Sequence, residues 1–517
     1  MRMSVEVNKM GRSLFELLDG IDYRIIFGDV ETPASGIVWD SRNVGPGDLF
    51  IAVIGNGTDG HKYIENAVKS GASVIVCDNV QKEMSDDDLI KLAEEYDVTI
   101  VSIDDTRTGM AKIAANMYDH PERKIELYGI TGTKGKTTSA FMVHEIMQRA
   151  GVDTGLMGTV CSMMGDKKIP ADHTTPEAPV TYEFLGSLAD AGYKDCVMEV
   201  SSLGLKLKRN YGMRYKAACF TNLYNDHIGG IEHPDMEDYF NSKLMIFDTA
   251  EYGVINADCD RFDEIMDYAS KRCRVITYGI DNDADIMAED MKSDSKGGVN
   301  GTSFVLNIGG DRFDVFVPIP GKFNVYNALC ALACTHVAGI DAETACRSIE
   351  YVRVPGRFQP VANKLGVNVL VDYAHNGEAL ANVIATAKEF TEGRVITLFG
   401  CGGNRPPERR FEMGRISSEM SDVTIITSDN PRMEEPMSII DDILASVNKT
   451  SAQYEVVPDR KEAILRAVSF ATAGDTVIIA GKGHEDYQEI KGVKYPFDDY
   501  TVASECIAQI EKERGIV

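Results

Sequence analysis

Residues 128–139 form a candidate phosphate-binding loop. The sequence Tyr-Gly-Ile-Thr-Gly-Thr-Lys-Gly-Lys-Thr-Thr-Ser joins an apolar run to a segment whose apolar residues recur at helical spacing. Backbone N–H groups at the start of a helix attract anions, so Lys136 would reach the outer phosphates of a nucleotide and Thr137 would bind Mg²⁺. The fit to the general phosphate-loop pattern is partial, because Ile130 occupies the position of its first glycine. A glycine-rich turn without nucleotide is the alternative.

Two further polar clusters follow predicted strands. Glu199 closes the apolar run 196–200, and Thr221-Asn-Leu-Tyr-Asn-Asp-His227 overlaps the end of the run 217–223. The segment 236–247 predicts a helix that bears Lys243. Open α/β sheets bind ligands at the carboxyl ends of their strands, so these groups are candidate Mg²⁺ ligands at one sheet edge. The alternatives are a Glu199 paired with a basic residue and an exposed helix lysine at 243.

The elements that would position these groups indicate an α/β protein of three domains. A chain of 517 residues is too long for one core. The central part predicts a P-loop-type, mostly parallel sheet, the C-terminal part predicts a doubly wound α/β sheet, and the N-terminal part predicts a smaller α/β domain. The expected domains cover residues 1–106, 107–352 and 353–517.

Short apolar runs locate the strands of these domains. The predicted strands cover residues 73–77, 98–103, 196–200, 217–223, 253–257, 367–371, 394–399, 423–427 and 476–480. A further pair of runs, 303–308 and 312–317, flanks Gly-Gly-Asp, which predicts an antiparallel hairpin.

The composition restricts the partners. The formal net charge is -27, from 53 Lys and Arg against 80 Asp and Glu, which argues against nucleic-acid and membrane partners. No apolar stretch approaches the roughly 20 residues that span a bilayer, and the first residues lack the apolar core of a signal peptide, so we expect a cytoplasmic protein. The eleven cysteines are scattered, and we expect them to be reduced and buried.

An ordered series of motifs resembles the ATP-dependent Mur ligases of peptidoglycan synthesis, and within them the MurE type. The series covers nearly the whole chain and comprises the phosphate loop, Met198-Glu-Val-Ser-Ser202, Phe220-Thr-Asn-Leu, Asp226-His227, Gly321-Lys-Phe-Asn-Val-Tyr-Asn327, Val354-Pro-Gly-Arg357, Asp372-Tyr-Ala-His375, Phe399-Gly-Cys-Gly-Gly403, Asp429-Asn-Pro-Arg432 and Gly481-Lys-Gly-His-Glu485. The resemblance implies an N-terminal domain that holds a UDP-sugar, a central domain that binds ATP, and a C-terminal Rossmann-like domain that binds an amino acid.

The resemblance also implies a reaction. The D-glutamate carboxylate of UDP-MurNAc-L-Ala-D-Glu takes the γ-phosphoryl group of ATP, and the amine of a free amino acid attacks the acyl phosphate. Asp429-Asn-Pro-Arg432 resembles the form of the motif that selects meso-diaminopimelate, since an arginine there recognises a distal carboxylate.

Position by position, the resemblance assigns roles to individual residues. The implied catalytic residues are Lys136, Glu199, His227 and Lys243, the last as a carbamate. The implied Mg²⁺ ligands are Thr137, Glu199, His227 and Lys243. The implied ATP contacts are Gly132, Thr133, Lys134, Gly135, Lys136, Thr137, Thr138, Asn327, Arg357, Asp372 and His375. The implied UDP-muramoyl-peptide contacts are Ser41, Thr174, Thr175, Ser202 and Arg209. The implied amino-acid contacts are Arg405, Asp429, Asn430, Arg432, Gly481 and Glu485.

Departures from the family pattern leave alternatives open. The departing residues are Leu203 for His, Leu207 for Gln, Lys134 for Asn, Asn404 for Asp and Gly377 for Pro. They keep L-lysine or another diamino acid open as the substrate, and a non-catalytic binder of UDP-muramoyl peptides is a further alternative. A ligase similar to folylpolyglutamate synthase shares the ATP chemistry but lacks the Asp40-Ser-Arg42 domain and Asp429-Asn-Pro-Arg432. We expect a monomer.

Overall fold

The computed structural model of the protein describes residues 11–55, 57–81, 83–225, 228–229, 232–447 and 453–516. The chain divides into two compact units, one of Met1–Met287 with Leu329–Ala345 and one of Ala288–Ala328 with Cys346–Val517. Both units are built from α/β sheets, as the sequence predicts. Within the described ranges, no helix has both the length and the apolar character needed to cross a bilayer.

The N-terminal part of the first unit is a five-stranded sheet with flanking helices. Its elements are β1 (Arg12–Ser13), α1 (Leu14–Leu17), β2 (Tyr23–Phe27), β3 (Pro33–Ala34), β4 (Ile37–Val38), β5 (Leu49–Ile51), α2 (Ile64–Lys69), β6 (Val74–Asp78), α3 (Asp86–Tyr96), β7 (Thr99–Ile103) and α4 (Thr106–Met117). The strand order of the five-stranded sheet is β2-β7-β6-β5-β4, with only β2 antiparallel to its neighbour. β1 and β3 form a separate antiparallel pair. The predicted strands 73–77 and 98–103 are confirmed as β6 and β7, whose residues are all buried because both sheet faces are covered.

A larger sheet follows in the same unit. Its elements are β8 (Glu126–Thr131), α5 (Lys136–Arg149), β9 (Thr154–Met157), β10 (Cys161–Met164), β11 (Lys167–Pro170), α6 (Ala178–Asp190), β12 (Asp195–Glu199), α7 (Ser202–Lys206), β13 (Tyr215–Phe220), α8 (Met236–Leu244), β14 (Ala250–Asn256), α9 (Phe262–Ser270) and β15 (Arg274–Gly279). The parallel strands have the order β9-β12-β8-β13-β14-β15, and β10 and β11 add an antiparallel edge.

The predicted strands of this sheet are confirmed, with one shorter than expected. The runs 196–200, 217–223 and 253–257 correspond to β12, β13 and β14. β13 ends at Phe220, and the next residue, Thr221, bonds through its N–H to the Thr131 carbonyl at 3.0 Å and through its hydroxyl to the Lys134 carbonyl at 2.7 Å. The predicted helix 236–247 is α8, which continues as the short 3-10 helix Met245–Thr249.

Three neighbouring parallel strands end at the same edge of this sheet. Glu199, the last residue of β12, is opposite Ile130 of β8, and Phe220, the last residue of β13, is opposite Thr131 of β8. The loops that leave the three strands therefore begin side by side, at the position where open α/β sheets bind ligands.

The predicted hairpin is also confirmed. The next elements along the chain are β16 (Ile286–Lys296), β17 (Val299–Ile308), β18 (Asp311–Val317), α10 (Lys322–Val337) and α11 (Ala342–Ile349). β17 and β18 pair antiparallel through a turn at Gly309 and Gly310, whose φ angles of 61° and 92° are those that two-residue hairpin turns favour.

The second unit contains a six-stranded sheet with the order β19-β20-β24-β21-β22-β23. Its elements are β19 (Gln359–Pro360), β20 (Asn368–Asp372), α12 (Gly377–Lys388), β21 (Val395–Phe399), α13 (Glu408–Met420), β22 (Val423–Ile426), α14 (Pro436–Val447), β23 (Gln453–Val456), α15 (Arg460–Phe470), β24 (Thr476–Ala480), β25 (Tyr487–Ile490), β26 (Val493–Pro496) and α16 (Asp499–Glu513). Within the six-stranded sheet all pairs are parallel except β19 with β20, and α15 and α16 pack on one face. β25 and β26 form a separate antiparallel pair. The four predicted strands are confirmed as β20, β21, β22 and β24.

A buried ion pair joins the starts of α15 and α16. Arg460 and Asp499 have no exposed side-chain surface, and Nη2 of Arg460 lies 2.7 Å from Oδ2 of Asp499. Arg460 also donates to the carbonyls of Ser428 at 3.2 Å and Ala480 at 2.9 Å, just beyond β22 and at the end of β24. One guanidinium therefore ties two helices to two strand ends.

Replacing Asp499 with asparagine should destabilise this sheet by about 3–5 kcal/mol, because the Arg460 charge would stay buried without a counter-ion. Hydrogen exchange of peptides from α15 and α16, followed in the full-length protein over a urea series, measures the loss. Glu505→Gln is the matched control, since the exposed pair Lys461–Glu505 joins the same two helices at 3.0 Å. This variant should leave the urea midpoint for the two helices unchanged. Equal losses in both variants would contradict the prediction.

Candidate active site

The phosphate loop is the turn between β8 and α5. Gly132 and Gly135 have φ angles of 141° and 87°, and a Cβ on Gly132 would lie 1.9 Å from the Thr221 hydroxyl oxygen. Glycine is therefore required at 132. The loop backbone is also tied to the end of β13, because Asn222 Oδ1 accepts the Lys134 N–H at 2.8 Å. The predicted order of strand, loop and helix is confirmed.

Lys136 is the first residue of α5, and its ammonium lies against its own loop. Nζ donates to the carbonyls of Gly132 at 2.8 Å and Thr133 at 3.1 Å. Thr137 and Thr138 follow and are buried. A cation beside the first N–H groups of a helix is an arrangement suited to binding phosphate.

Glu199 presents a buried carboxylate to this loop, with 1% of the residue exposed. Its Oε2 accepts the hydroxyls of Thr137 at 2.9 Å and Thr159 at 3.0 Å, and its Oε1 accepts the Thr159 N–H at 2.8 Å. These partners are hydroxyl and amide groups and not a basic side chain. The strand-end glutamate is thus connected directly to the start of α5.

The oxygen atoms at this position suit a hard cation such as Mg²⁺. Glu199 contributes a carboxylate and Thr137 a hydroxyl, and glycine at 158 allows the backbone to approach this carboxylate, since a Cβ there would lie 2.2 Å from Glu199 Oε1. Among the described residues, no group of three or more His, Cys, Asp or Glu side chains could hold a metal ion. His227, a predicted ligand, lies outside the described residues.

Lys243 in the last turn of α8 is buried, with 1% of the residue exposed. Its Nζ donates to the Gly132 carbonyl at 2.8 Å and lies 4.3 Å from the centroid of the Tyr239 ring. The Tyr239 hydroxyl in turn donates to Thr133 Oγ1 at 3.1 Å. Lys243 is therefore not an exposed helix lysine but a residue of the phosphate-loop environment.

Two residues predicted to contact the muramoyl peptide lie at the same edge. The hydroxyls of Thr174 and Thr159 are 3.0 Å apart, and the Thr175 hydroxyl donates to the Glu199 carbonyl at 3.0 Å. Thr159, which holds Glu199, thus also contacts Thr174. The structure brings the predicted peptide contacts and the phosphate loop together through Glu199.

Arg209, a third predicted peptide contact, follows α7 and is held by Glu177. Its Nε lies 3.0 Å from Glu177 Oε1, and its Nη1 donates to the Thr175 carbonyl at 3.0 Å. Arg107 binds the other oxygen of Glu177 at 2.8 Å. Ser41 opens a short 3-10 helix, and no hydrogen bond in the described ranges joins it to this group.

Ser202, the first residue of α7, bonds to a buried histidine. Its Oγ lies 2.9 Å from Nε2 of His233, whose Nδ1 lies 2.6 Å from Asp238 Oδ2. Burial lowers the pKa of His233, and hydrogen bonds from Lys206 and His233 lower that of Asp238 despite its partial burial. The ionised Asp238 therefore accepts Nδ1–H, and the neutral ring accepts the Ser202 hydroxyl.

The residues predicted to contact the nucleotide outside the loop belong to the second unit. Asp372 ends β20, is buried, and accepts two backbone N–H groups at 2.8 Å; burial raises its pKa and Arg357 opposes this. The guanidinium of Arg357 lies 4.8 Å from the centroid of the Tyr373 ring, and the His375 ring lies 4.6 Å from it. These three residues are thus grouped around Tyr373. Asn327 lies on α10.

Four of the six predicted amino-acid contacts form one cluster. Asn430 donates its side-chain N–H to Glu485 Oε2 at 2.7 Å, and Asp429 Oδ1 accepts the Asn430 backbone N–H at 2.6 Å. Gly481 has a φ of 111°, and a Cβ there would lie 2.7 Å from Asp429 Oδ2. The cluster lies where the loops after β22 and β24 begin.

The other two predicted contacts, Arg405 and Arg432, flank Gly402. Arg432 Nη1 and Arg405 Cγ would lie 3.5 and 3.9 Å from a Cβ at Gly402. Arg432 has a φ of 52°, donates to the Gly403 carbonyl at 2.8 Å, and places Nε 3.6 Å from Glu489 Oε2. A guanidinium with one fixed donor is suited to recognising a carboxylate.

Several residues of the site have no role in the sequence-based assignment. Thr159 holds Glu199, Tyr239 supports Lys243, and Glu177 holds Arg209. Thr159 and Glu177 act on partners 40 and 32 positions away, so no local pattern identifies them. Tyr239 is one helical turn before Lys243 on α8, and that spacing was the signal available for it. Asn222 and Lys482 lie inside recognised motifs, which was the signal available for them.

Comparisons with known proteins agree with this geometry. Residues 33–118, 130–335 and 356–483 match the Mur ligase family catalytic domain, the Mur ligase middle domain and the Mur ligase glutamate ligase domain. A UDP-N-acetylmuramoyl-L-alanyl-D-glutamate--2,6-diaminopimelate ligase of Clostridium tetani is 41% identical over 96% of this chain and 99% of its own length. A solved structure of a ligase of the same name is 27% identical, covers 97% of this chain and 100% of that chain, and gives a TM-score of 0.67. The crystal structure of MurF ligase from Thermotoga maritima in complex with ADP shares the fold at 17% identity, covering 93% of this chain and 98% of that chain with a TM-score of 0.59. The chain belongs to the Mur ligase family.

Proposed function

We propose that this protein is the ATP-dependent ligase that adds meso-diaminopimelate to the D-glutamate carboxylate of UDP-MurNAc-L-Ala-D-Glu in peptidoglycan synthesis. One observation carries the proposal: the buried Glu199 carboxylate bonds to Thr137 of the phosphate loop, and the same residue contacts Thr175. This arrangement supports phosphoryl transfer to a carboxylate at the edge where β12 and β8 end. The full-length relative of the same name supports the choice of substrate.

The chemistry explains why the site combines cations, hydroxyls and one buried acid. A carboxylate and a triphosphate repel each other, so the site must neutralise charge and align the two groups. The first N–H groups of α5 and the Lys136 ammonium would bind the phosphates. The acyl phosphate formed on the D-glutamate carboxylate is then open to attack by the amine of the amino acid, with phosphate as the leaving group.

We further propose that Thr137, Glu199, His227 and Lys243 hold Mg²⁺, with Lys243 as a carbamate. A bound Mg²⁺ would supply positive charge to the phosphate oxygens. A carbamate at Lys243 would turn a cation that repels Mg²⁺ into an oxygen ligand. The position of its Nζ, 2.8 Å from the Gly132 carbonyl, supports a role at the loop.

The remaining assignments are also proposals. They comprise the domain bounds 1–106, 107–352 and 353–517, the nucleotide contacts of Asn327, Arg357, Asp372 and His375, the peptide contacts of Ser41, Thr174, Thr175, Ser202 and Arg209, a monomeric state, a cytoplasmic location, and the absence of nucleic-acid and membrane partners.

Phosphate release from ATP, measured with and without UDP-MurNAc-L-Ala-D-Glu and a panel of amino acids, tests the function. We expect release to require both the dipeptide and a diamino acid, with meso-diaminopimelate preferred. Release without an amino-acid requirement would contradict the ligase, and binding of the dipeptide without any release would favour a non-catalytic binder.

Arg432→Ala should erase the preference for meso-diaminopimelate over L-lysine. In the wild type, lysine lacks the distal carboxylate and leaves the Arg432 guanidinium with only the more distant Glu489 carboxylate, 3.6 Å from Nε. The lost substrate contact costs on the order of 2–5 kcal/mol and predicts about thirtyfold or greater preference. The ratio of kcat/KM for the two amino acids measures the effect.

Arg415→Ala removes a charge from an exposed i, i+4 pair on α13 and serves as the control. It should keep the wild-type ratio. A wild-type enzyme that uses lysine as well as diaminopimelate would refute the assigned role of Arg432 while leaving the ligase itself in place.

A further inference from the structure

Lys482 is a buried lysine at the centre of the amino-acid cluster. Its side chain has no exposed surface, although it follows β24 in a glycine-flanked loop. Lysine is rarely buried in this way unless its charge is paired. The burial of Lys482 therefore indicates that specific partners pair its charge.

The three hydrogens of the Lys482 ammonium meet three acceptors. Nζ donates to the Tyr487 carbonyl, to Glu485 Oε2 at 3.1 Å and to Asn430 Oδ1 at 3.5 Å. Its position is fixed from three directions. A solvent-exposed lysine of the same loop would have no such fixed geometry.

The same contacts determine which atoms of the cluster remain available to a ligand. Asn430 Oδ1 also accepts the Glu489 N–H at 2.8 Å, so the amide oxygen is used, and one side-chain N–H is used by Glu485 Oε2. Glu485 keeps 20% of its side chain exposed, and within the described part of the chain its side-chain hydrogen bonds all end on Oε2. Oε1 is thus the atom of Glu485 through which an ammonium group can bind.

We infer that Lys482 is a positioning residue that keeps Glu485 oriented and ionised, so that Glu485 binds an ammonium group of the incoming amino acid. The inference rests on the proposed function, which makes this cluster the amino-acid site. Lys482 touches Glu485 and Asn430 and is not itself assigned a contact with the substrate.

The charges around Glu485 make Lys482 the group that opposes neutralisation. Burial raises the pKa of Glu485, Asp429 adds to the rise, and the ammonium of Lys482 lowers it. Arg460 and Tyr373 also face this carboxylate, and neither hydrogen-bonds to it among the described residues. Removing Lys482 leaves the Asn430 hydrogen bond to oppose burial and Asp429, which shifts Glu485 toward the protonated form that binds ammonium poorly.

Lys482→Met should therefore raise the KM for the amino acid by about tenfold or more, with the KM values for ATP and UDP-MurNAc-L-Ala-D-Glu unchanged. The amino-acid KM of this variant should also increase more steeply than that of the wild type as the pH falls from 8 to 6. Lys482→Arg keeps the charge and should restore the wild-type pH profile at least in part. Lys494→Met is the matched control, because Lys494 is exposed and packs 4.0 Å from the centroid of the same Tyr487 ring that Lys482 approaches.

Each outcome of this series decides the inference. A wild-type amino-acid KM in Lys482→Met overturns it. A raised amino-acid KM with an unchanged pH profile shows only a structural role and also overturns it. A parallel rise in the KM values for the amino acid, ATP and the UDP-dipeptide has the same meaning. Failure of the wild-type enzyme to use any amino acid refutes the proposed function instead, so the two failures are distinguishable.

Discussion

Lys136→Ala should lower the rate of phosphate release by about 10²–10³-fold or more while leaving the affinity for UDP-MurNAc-L-Ala-D-Glu unchanged. The lysine charge would act on phosphate oxygens in the transition state, where a fixed donor contributes most. The predicted peptide contacts, such as Thr175 and Arg209, bond to Glu199 and to each other and not to Lys136. Single-turnover phosphate release and calorimetric titration with the UDP-dipeptide measure the two quantities.

Arg149→Ala provides the control for this variant. Arg149 is at the far end of the same helix, α5, in an i, i+4 pair with Glu145, so its loss removes a cation from α5 without touching the loop. It should retain the wild-type rate. Near-normal phosphate release by Lys136→Ala would refute the assignment of residues 132–138 to the nucleotide.

Lys243→Ala should be nearly inactive, and a small carboxylate such as acetate should restore part of the activity. A missing anionic ligand can be replaced from solution when the cavity left by the lysine stem admits it. Activity measured across an acetate series gives the result, with Lys271→Ala, just after α9, as a surface-lysine control.

A different result would contradict the carbamate at Lys243. Its Nζ donates to the Gly132 carbonyl, a contact that an ammonium makes and that the remaining N–H of a carbamate also allows. Rescue by methylammonium and not by acetate would show that Lys243 supports the loop as a cation. Full activity without any addition would remove it from the catalytic residues.

The sequence predicted those parts of the site that depend on local order. Buried runs located β12, β8 and β13, and the rule that ligands bind at strand ends then grouped Glu199 with the phosphate loop, although the neighbour relation of the strands needed the structure. The glycines at 132 and 135 predicted the turn, because few other residues adopt their backbone angles.

Contacts between distant parts of the chain could not be predicted from the sequence. Thr159 holds Glu199 from 40 positions away, and no periodicity marks it. Lysine is by type a surface residue, and the burial of Lys482 includes a contact with Asn430, 52 positions away in the chain. His227 lies outside the described residues, so its place in the site stays a prediction.

The backbone at Arg432 places function and stability in competition at a single position. Its φ of 52° is held by the Arg432 N–H bonding to the Glu489 carbonyl at 2.9 Å and its own carbonyl accepting the Lys491 N–H at 2.6 Å. Glycine would adopt this angle with less strain, by roughly 1 kcal/mol. A variant with glycine at position 432 would therefore have a more stable fold, at the cost of the arginine side chain. The proposed role of Arg432 in binding a carboxylate therefore carries a conformational cost that a glycine at this position would not have.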